Sequence, residues 1–150
     1  MHPVPGRPAR LRAGWNAVNL STPLGLAVAA ATRTRLVRGP DGLLLGFGYR
    51  GRLPRAAAFT IGNVVLFRAG PAEVAARPRL LAHEARHASQ WAACLGLPFL
   101  PLYGSAAAWS LLRTGHPALR NVFEVRAGLA DGGYRAPGGV PDGGAPAAPE

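Results

Sequence analysis

Apolar positions along the chain change their period several times, and each change marks an element. In residues 58–67, Ala58-Phe59-Thr60-Ile61-Gly62-Asn63-Val64-Val65-Leu66-Phe67, β-branched and aromatic side chains run almost unbroken, the composition of a buried strand. Gly62-Asn63 supports a tight turn and hence a hairpin; a bulged single strand is the alternative. Another hairpin is predicted from residues 35–38 and 43–47, joined by Gly39-Pro40-Asp41-Gly42, where Pro presets φ and Gly tolerates positive φ. Residues 71–76 read as one helical turn. From Pro78, at the first position of a helix, Leu81, Ala85, Ala88 and Ala92 keep helical spacing until Gly96 and Pro98 end it.

The remaining segments are less regular. Thr22 and Pro23 open a short helix as cap and first residue, with Leu24, Val28 and Ala31 as its buried face. Residues 88–112 carry no charge, a run of about 25 residues and long enough to span a bilayer. Gly96, Pro98, Pro101 and Gly104 interrupt it, and Gln90, Ser105 and Ser110 are polar. Two buried helices, the second over residues 102–112, are therefore favoured over a membrane segment. A last helix is predicted from Pro117 to Asp131, capped by Thr114 or His116 and stopped by Gly132-Gly133. Residues 1–14 form a basic, Pro- and Gly-rich stretch expected to be disordered, as is the Pro/Gly/Ala tail over residues 135–150. The expected architecture is a single α+β domain over residues 15–134: a small antiparallel β-element packed on the residue-78 helix, with two further helices.

That helix carries His83-Glu84-Ala85-Arg86-His87. Residues four apart on a helix share a face, so His83 and His87 can direct two imidazoles at one metal ion. Glu84 lies about 100° round the helix and can reach a water held by that ion without being a ligand. The plain alternative is a helix with two surface histidines and an exposed glutamate. A catalytic zinc site takes three protein ligands and keeps a fourth position open. Acids are scarce: besides Glu84 there are Glu73, Glu124, Glu150, Asp41, Asp131 and Asp142. Asp41 lies in the turn, Asp142 and Glu150 in the tail, and Glu73 too near the helix to fold back. Glu124, Asp131 and His116 remain. Glu124 is favoured, because its apolar neighbours Val122, Phe123 and Val125 suggest a buried carboxylate in need of a partner. Its competing role is local, since Asn121-Val122-Phe123-Glu124 has the spacing of a capping box.

Composition changes this picture little. The net charge of +10 comes from 17 basic residues, all arginine, in a chain whose Ala, Gly and Pro content points to base composition rather than function. The arginines are scattered without aromatic interleaving, so no specific nucleic-acid partner is expected. Cys94 is the only cysteine, which excludes an intrachain disulfide and favours a reducing, cytoplasmic setting. Membrane association is not favoured. The sequence does not define the oligomeric state.

The motif continues into Ala88-Ser89-Gln90-Trp91. Together with Ala58-Phe59-Thr60-Ile61-Gly62-Asn63 upstream and Asn121-Val122-Phe123-Glu124-Val125-Arg126-Ala127 downstream, it resembles small bacterial zincin-like domains of gluzincin type. These include the core domain associated with extracellular contractile injection systems. The resemblance spans residues 58–129 and implies Zn2+ held by His83, His87 and Glu124. It departs from the gluzincin pattern where an Asp often follows the ligand Glu by four residues to brace a histidine; Gly128 stands there. The third histidine of metzincins is absent too, with Ala93 in its place.

The expected function is that of a zinc-dependent metallopeptidase acting on a peptide or protein. The metal lowers the pKa of its water to about 7, and Glu84 takes the proton and passes it to the leaving amine. Tyr134, Tyr103, His116 and Arg126 are all candidates to stabilise the oxyanion. Gln90 and Trp91 read as packing or helix-face residues, and Arg86 as solvent-facing or locally paired. The alternative function is a catalytically weak or inactive zincin-like module used for protein interaction or docking.

Overall fold

Both expected hairpins form, and they lie side by side in one sheet. The computed structural model describes residues 5–135. Its elements are α1 (Arg7–Val18), α2 (Ser21–Ala31), β1 (Leu36–Arg38), a 3-10 turn (Pro40–Gly42), β2 (Leu44–Gly46), β3 (Ala58–Ile61), β4 (Val64–Phe67), α3 (Pro71–Ala75), α4 (Pro78–Ala93), α5 (Phe99–Thr114) and α6 (Val122–Ala127). The fold class is α+β. Strand order is β1-β2-β4-β3, and the sheet is mixed rather than wholly antiparallel. Each hairpin is antiparallel within itself, but their second strands meet in parallel, Leu44 opposite Val64 and Gly46 opposite Leu66. The connection between the hairpins returns the chain so that both second strands run the same way.

β4 is interior and all four of its residues are buried. Alternate side chains leave a strand on opposite faces, and here each face has its own cover. Val65 and Phe67 join Leu45, Ala58 and Ala88 beneath α4, while Val64 and Leu66 join Ala29, Tyr49 and Val28 beneath α2. A sheet covered on both faces needs apolar residues at consecutive positions, which is why residues 64–67 do not alternate with polar ones. Gly62 makes the β3–β4 turn with φ +61°; a Cβ there would lie 2.4 Å from the Thr22 amide nitrogen. The turn closes directly on the start of α2.

Several expectations give way to the structure. Residues 7–14, expected to be disordered, are helical and continuous with α1. That helix lacks an apolar stripe and is held by polar bonds instead. Buried Asn16 donates from Nδ2 to Asn63 Oδ1 (2.8 Å) and to the Ala88 carbonyl (2.9 Å), and Trp15 Nε1 donates to the Ala92 carbonyl (3.0 Å). α2 begins at Ser21, and its buried side is Ser21, Thr22, Gly25 and Ala29, with Leu24 and Val28 half-buried and Ala31 exposed. α5 is longer than residues 102–112 and is not a buried helix: only Phe99 and Ser110 are buried. The last helix is confined to Val122–Ala127, because Asn121 caps it, Oδ1 accepting from the Phe123 amide at 3.0 Å. Among the described residues no helix is long and apolar enough to cross a membrane. The tail expectation falls on residues that lie almost wholly outside the described ones.

Candidate metal centre

α4 packs on the sheet through one buried stripe, and the stripe is the motif itself: His83, Glu84, His87, Ala88 and Trp91. Trp91 sets the helix against β3 by donating from Nε1 to the Thr60 carbonyl at 2.9 Å. The two histidines therefore face inward, contrary to a surface-histidine reading. α6 crosses α4 and delivers Glu124, itself buried. The Asn121 cap and a buried Glu124 coexist, so the local role did not compete with the site role.

The geometry converges on one point. His83 Nε2 and His87 Nε2 are 3.1 Å apart, and Glu124 Oε2 lies 3.2 Å from the first and 3.5 Å from the second. Two ligands of a tetrahedral zinc at about 2.0–2.1 Å stand about 3.3 Å from each other. The three separations match that within a few tenths of an ångström.

Proton accounting points the same way. His83 Nδ1 lies 2.9 Å from the Gly128 carbonyl, which can only accept, so Nδ1 carries the proton. Gln90 donates from Nε2 to the Phe123 carbonyl at 2.9 Å, which orients its amide and leaves Oε1 to accept from His87 Nδ1 at 2.8 Å. With the proton on Nδ1 in each ring, the Nε2 atoms are left facing inward to coordinate. The Tyr103 hydroxyl donates to Glu124 Oε1, while Oε2 is buried without a hydrogen-bond donor in sound geometry. Three acceptors meeting in a buried space suit a cation. His83, His87 and Glu124 are placed to hold a metal ion.

Ionisation follows from these contacts. Burial works against the Glu124 carboxylate, but the facing His83 and His87 rings and the Tyr103 hydroxyl outweigh it and hold the group below the usual carboxylate range. Burial also works against a charged His83, yet Glu124 and Glu84 outweigh it and raise its pKa, a proton standing in for the cation. Glu84 moves the other way from Glu124. Burial raises its pKa, with His87 and the Thr60 hydroxyl (2.6 Å to Oε2) offsetting only part.

The site opens on a cleft of about 260 Å³, whose wall includes Phe59, Thr60 and Ile61 of β3, Trp91, Phe99 and Tyr134. β3 is an edge strand, and all four of its residues line this cleft. Among the four oxyanion candidates, Tyr103 is engaged by Glu124, and Arg126 and His116 are exposed and do not line the cleft. Tyr134 does line it, its ring 6.2 Å from that of His83. Burial, with the charges of Glu124 and Glu84, raises its pKa and keeps it a proton donor.

Three supporting residues escaped the sequence. Gln90 is not a packing residue; it holds His87 and ties α4 to α6. Its signal was present, for it sits one turn beyond His87. Arg86 is exposed, as expected, but its partners are distant: it donates from Nη1 to the Ala127 carbonyl (2.5 Å) and to Asp131 Oδ2 (2.8 Å). Asp131, weighed as a ligand, is spent on this pair. The missing Asp at position 128 is replaced by the Gly128 backbone carbonyl, which no side-chain pattern can reveal. Gly128 has φ +93°, and a Cβ on Gly132 would lie 2.6 Å from His83 Cε1; residues 128–132 fold over the imidazole at a distance only glycine allows.

The site is thus a His-His-Glu cluster with a buried glutamate beside it, carried by a small α+β fold. The sequence profile of the eCIS core domain matches residues 52–93, from the loop before β3 to the end of α4. This segment, less than a third of the chain, includes both histidines and Glu84 but not Glu124. The similarity therefore covers the motif and its strand, not the whole site. No curated protein and no solved structure matches the chain.

Proposed function

We propose that the chain is a zinc-dependent metallopeptidase of zincin type, with His83, His87 and Glu124 holding the metal and Glu84 moving the proton. The observation that carries this is the convergence of three lone pairs at tetrahedral spacing with a second buried carboxylate beside them. Two imidazoles and one carboxylate form a donor set characteristic of catalytic zinc. When bound, zinc supplies Lewis acidity, polarising a carbonyl and acidifying water.

The chain's own residues supply the rest. The edge strand β3, whose Thr60 carbonyl is held by Trp91, pairs an extended peptide through its remaining outer main-chain groups and lays it across the cleft. Glu84, with its pKa raised by burial, accepts a proton from the attacking water and returns it to the leaving amine. The Thr60 hydroxyl fixes which carboxylate oxygen is free to do so. Tyr134 donates to the oxygen that develops negative charge.

The test is elemental analysis and peptide hydrolysis side by side for wild type and Glu84→Gln. About one zinc per chain in both, with hydrolysis reduced about 100-fold or more in the variant, supports the proposal. Equal hydrolysis in both sinks the role of Glu84.

A second reading has its own observation. Glu84 is only 3% exposed and already accepts a short hydrogen bond from Thr60, an arrangement that also suits a structural metal site in a docking module. Bound zinc with no hydrolysis of any peptide by wild type selects that reading.

A further inference from the structure

The cleft over the metal centre is apolar in a chain that is strongly basic. The chain carries 17 arginines and a net charge of +10, yet among the described residues no arginine lines the cleft. The carboxylates on its lining are Glu84 and Glu124, both buried and both engaged, one by Thr60 and the other by Tyr103 and the histidines. The floor is aromatic. Phe99 is 5% exposed, its ring centroid 4.8 Å from that of Trp91 and 5.0 Å from that of Phe123. Phe59 and Ile61 are half-buried in the wall, and Leu100 and Pro54 are exposed at the mouth. Phe99 and Leu100 come from the first turn of α5, which Gly96 (φ +88°) turns back over α4; a Cβ there would lie 2.5 Å from the Asn19 carbonyl oxygen. Both residues lie beyond residues 52–93, so the similarity to the eCIS core domain does not cover this wall.

We propose that this cleft receives one bulky apolar side chain of an extended peptide, of leucine or phenylalanine size, next to the bond that is cut. The cutting rests on the peptidase reading; the choice of side chain rests on the cleft alone. Size sets the limit of one. A cleft of about 260 Å³ is smaller than the roughly 300–1,000 Å³ of sites that enclose a drug-sized molecule, and has room for one large side chain with the peptide groups beside it. Charge sets the chemistry. An ionised side chain entering here leaves water for a wall with no free counter-charge. A neutral polar one finds the Thr60 and Tyr103 hydroxyls already donated to Glu84 and Glu124. An apolar one releases water from Phe99, Leu100 and Ile61 together. Successive side chains of a peptide paired along β3 point to opposite sides, so its neighbours in the chain stay outside the cleft. Leu100 is the residue that sets specificity at the mouth: it is 50% exposed, so changing it alters the wall without opening the core.

The test uses the full chain and blocked peptides of glycine and serine carrying one variable residue X. With zinc-loaded wild type, kcat/KM for leucine or phenylalanine at X is expected to exceed that for alanine, aspartate or lysine at least about tenfold, with the cut beside X. Calorimetric binding of the same peptides to zinc-loaded Glu84→Gln follows the same order, independently of cleavage. Leu100→Ala lowers kcat/KM for the leucine peptide about tenfold, and Leu100→Asp turns the order toward lysine, both at unchanged zinc content and melting temperature. Hydrolysis that does not depend on X overturns the proposal and leaves the peptidase reading standing. An order of X unchanged in Leu100→Asp overturns the assignment of the wall. Ordered binding without hydrolysis by wild type upholds the preference of the cleft and sinks the peptidase reading. Neither binding nor hydrolysis for any X overturns both.

Discussion

At the scale of single residues, the metal centre depends on atoms that are not ligands. Gln90 and Gly128 fix the proton on the outer nitrogen of each histidine, and so decide that the inner nitrogens are free to coordinate. Losing such support weakens metal affinity about 10–100-fold. Gln90→Ala is expected to do so in a chelator-competition titration while circular dichroism stays unchanged; unchanged affinity refutes the brace. Gly132→Ala is expected to act through sterics, its new Cβ forcing the His83 ring from its position, again with reduced zinc affinity and an intact fold. Glu124→Ala should lose the metal more completely than either. The convergence of His83, His87 and Glu124 was legible because residues one helical turn apart share a face and because Glu124 was one of few acids and stood among apolar neighbours. The brace on His83 was not, because a main-chain carbonyl leaves no mark on the sequence. The partners of Arg86 were not legible because they lie 41 and 45 residues downstream, across a turn whose path composition does not specify.

Elements tell a different story. Hairpins, the β3–β4 turn and α4 followed from local rules, since their apolar patterns and turn residues agree with what the tertiary structure needs. α1 did not: it has no apolar stripe, Gly14 lowers its intrinsic preference, and its fixing contacts are single polar bonds to distant segments. Asn16→Ala is accordingly expected to cost about 1–3 kcal/mol, because it leaves the Ala88 carbonyl and Asn63 without their buried donor. Urea unfolding checks this, and a change within experimental error would show that α1 is only loosely tied to α4. α6 was over-extended by the sequence because Asn121 is a stronger cap than the residues before it, and caps are judged by the hydrogen bond they make.

For the whole molecule, the sheet is the fixed reference and the site is assembled around it. α4 is anchored by the sheet below and by α1 alongside, whereas α6 reaches the core through Glu124, Ala127 and its bonds to Gln90 and Arg86. A ligand bound only by the folded chain stabilises it by mass action, about 2.7 kcal/mol at a hundredfold excess over Kd. Chelator is thus expected to lower the melting temperature of wild type, and of Glu84→Gln equally, but not of Glu124→Ala. An identical shift in Glu124→Ala removes that residue from the ligand set.

The division of the three candidate ligands between α4 and α6 also bears on how quickly an ion would come and go. Two donors are presented by a helix clamped into the core, and the third by a one-and-a-half-turn helix resting on top. Loading and release are then expected to pass through a state in which α6 has lifted, with rates that follow that opening rather than diffusion. Amide exchange over residues 121–128 should slow with bound metal far more than exchange in β4, and zinc dissociation should keep pace with it across Gln90 variants. The protein would behave as a latch, closed by the ion it holds.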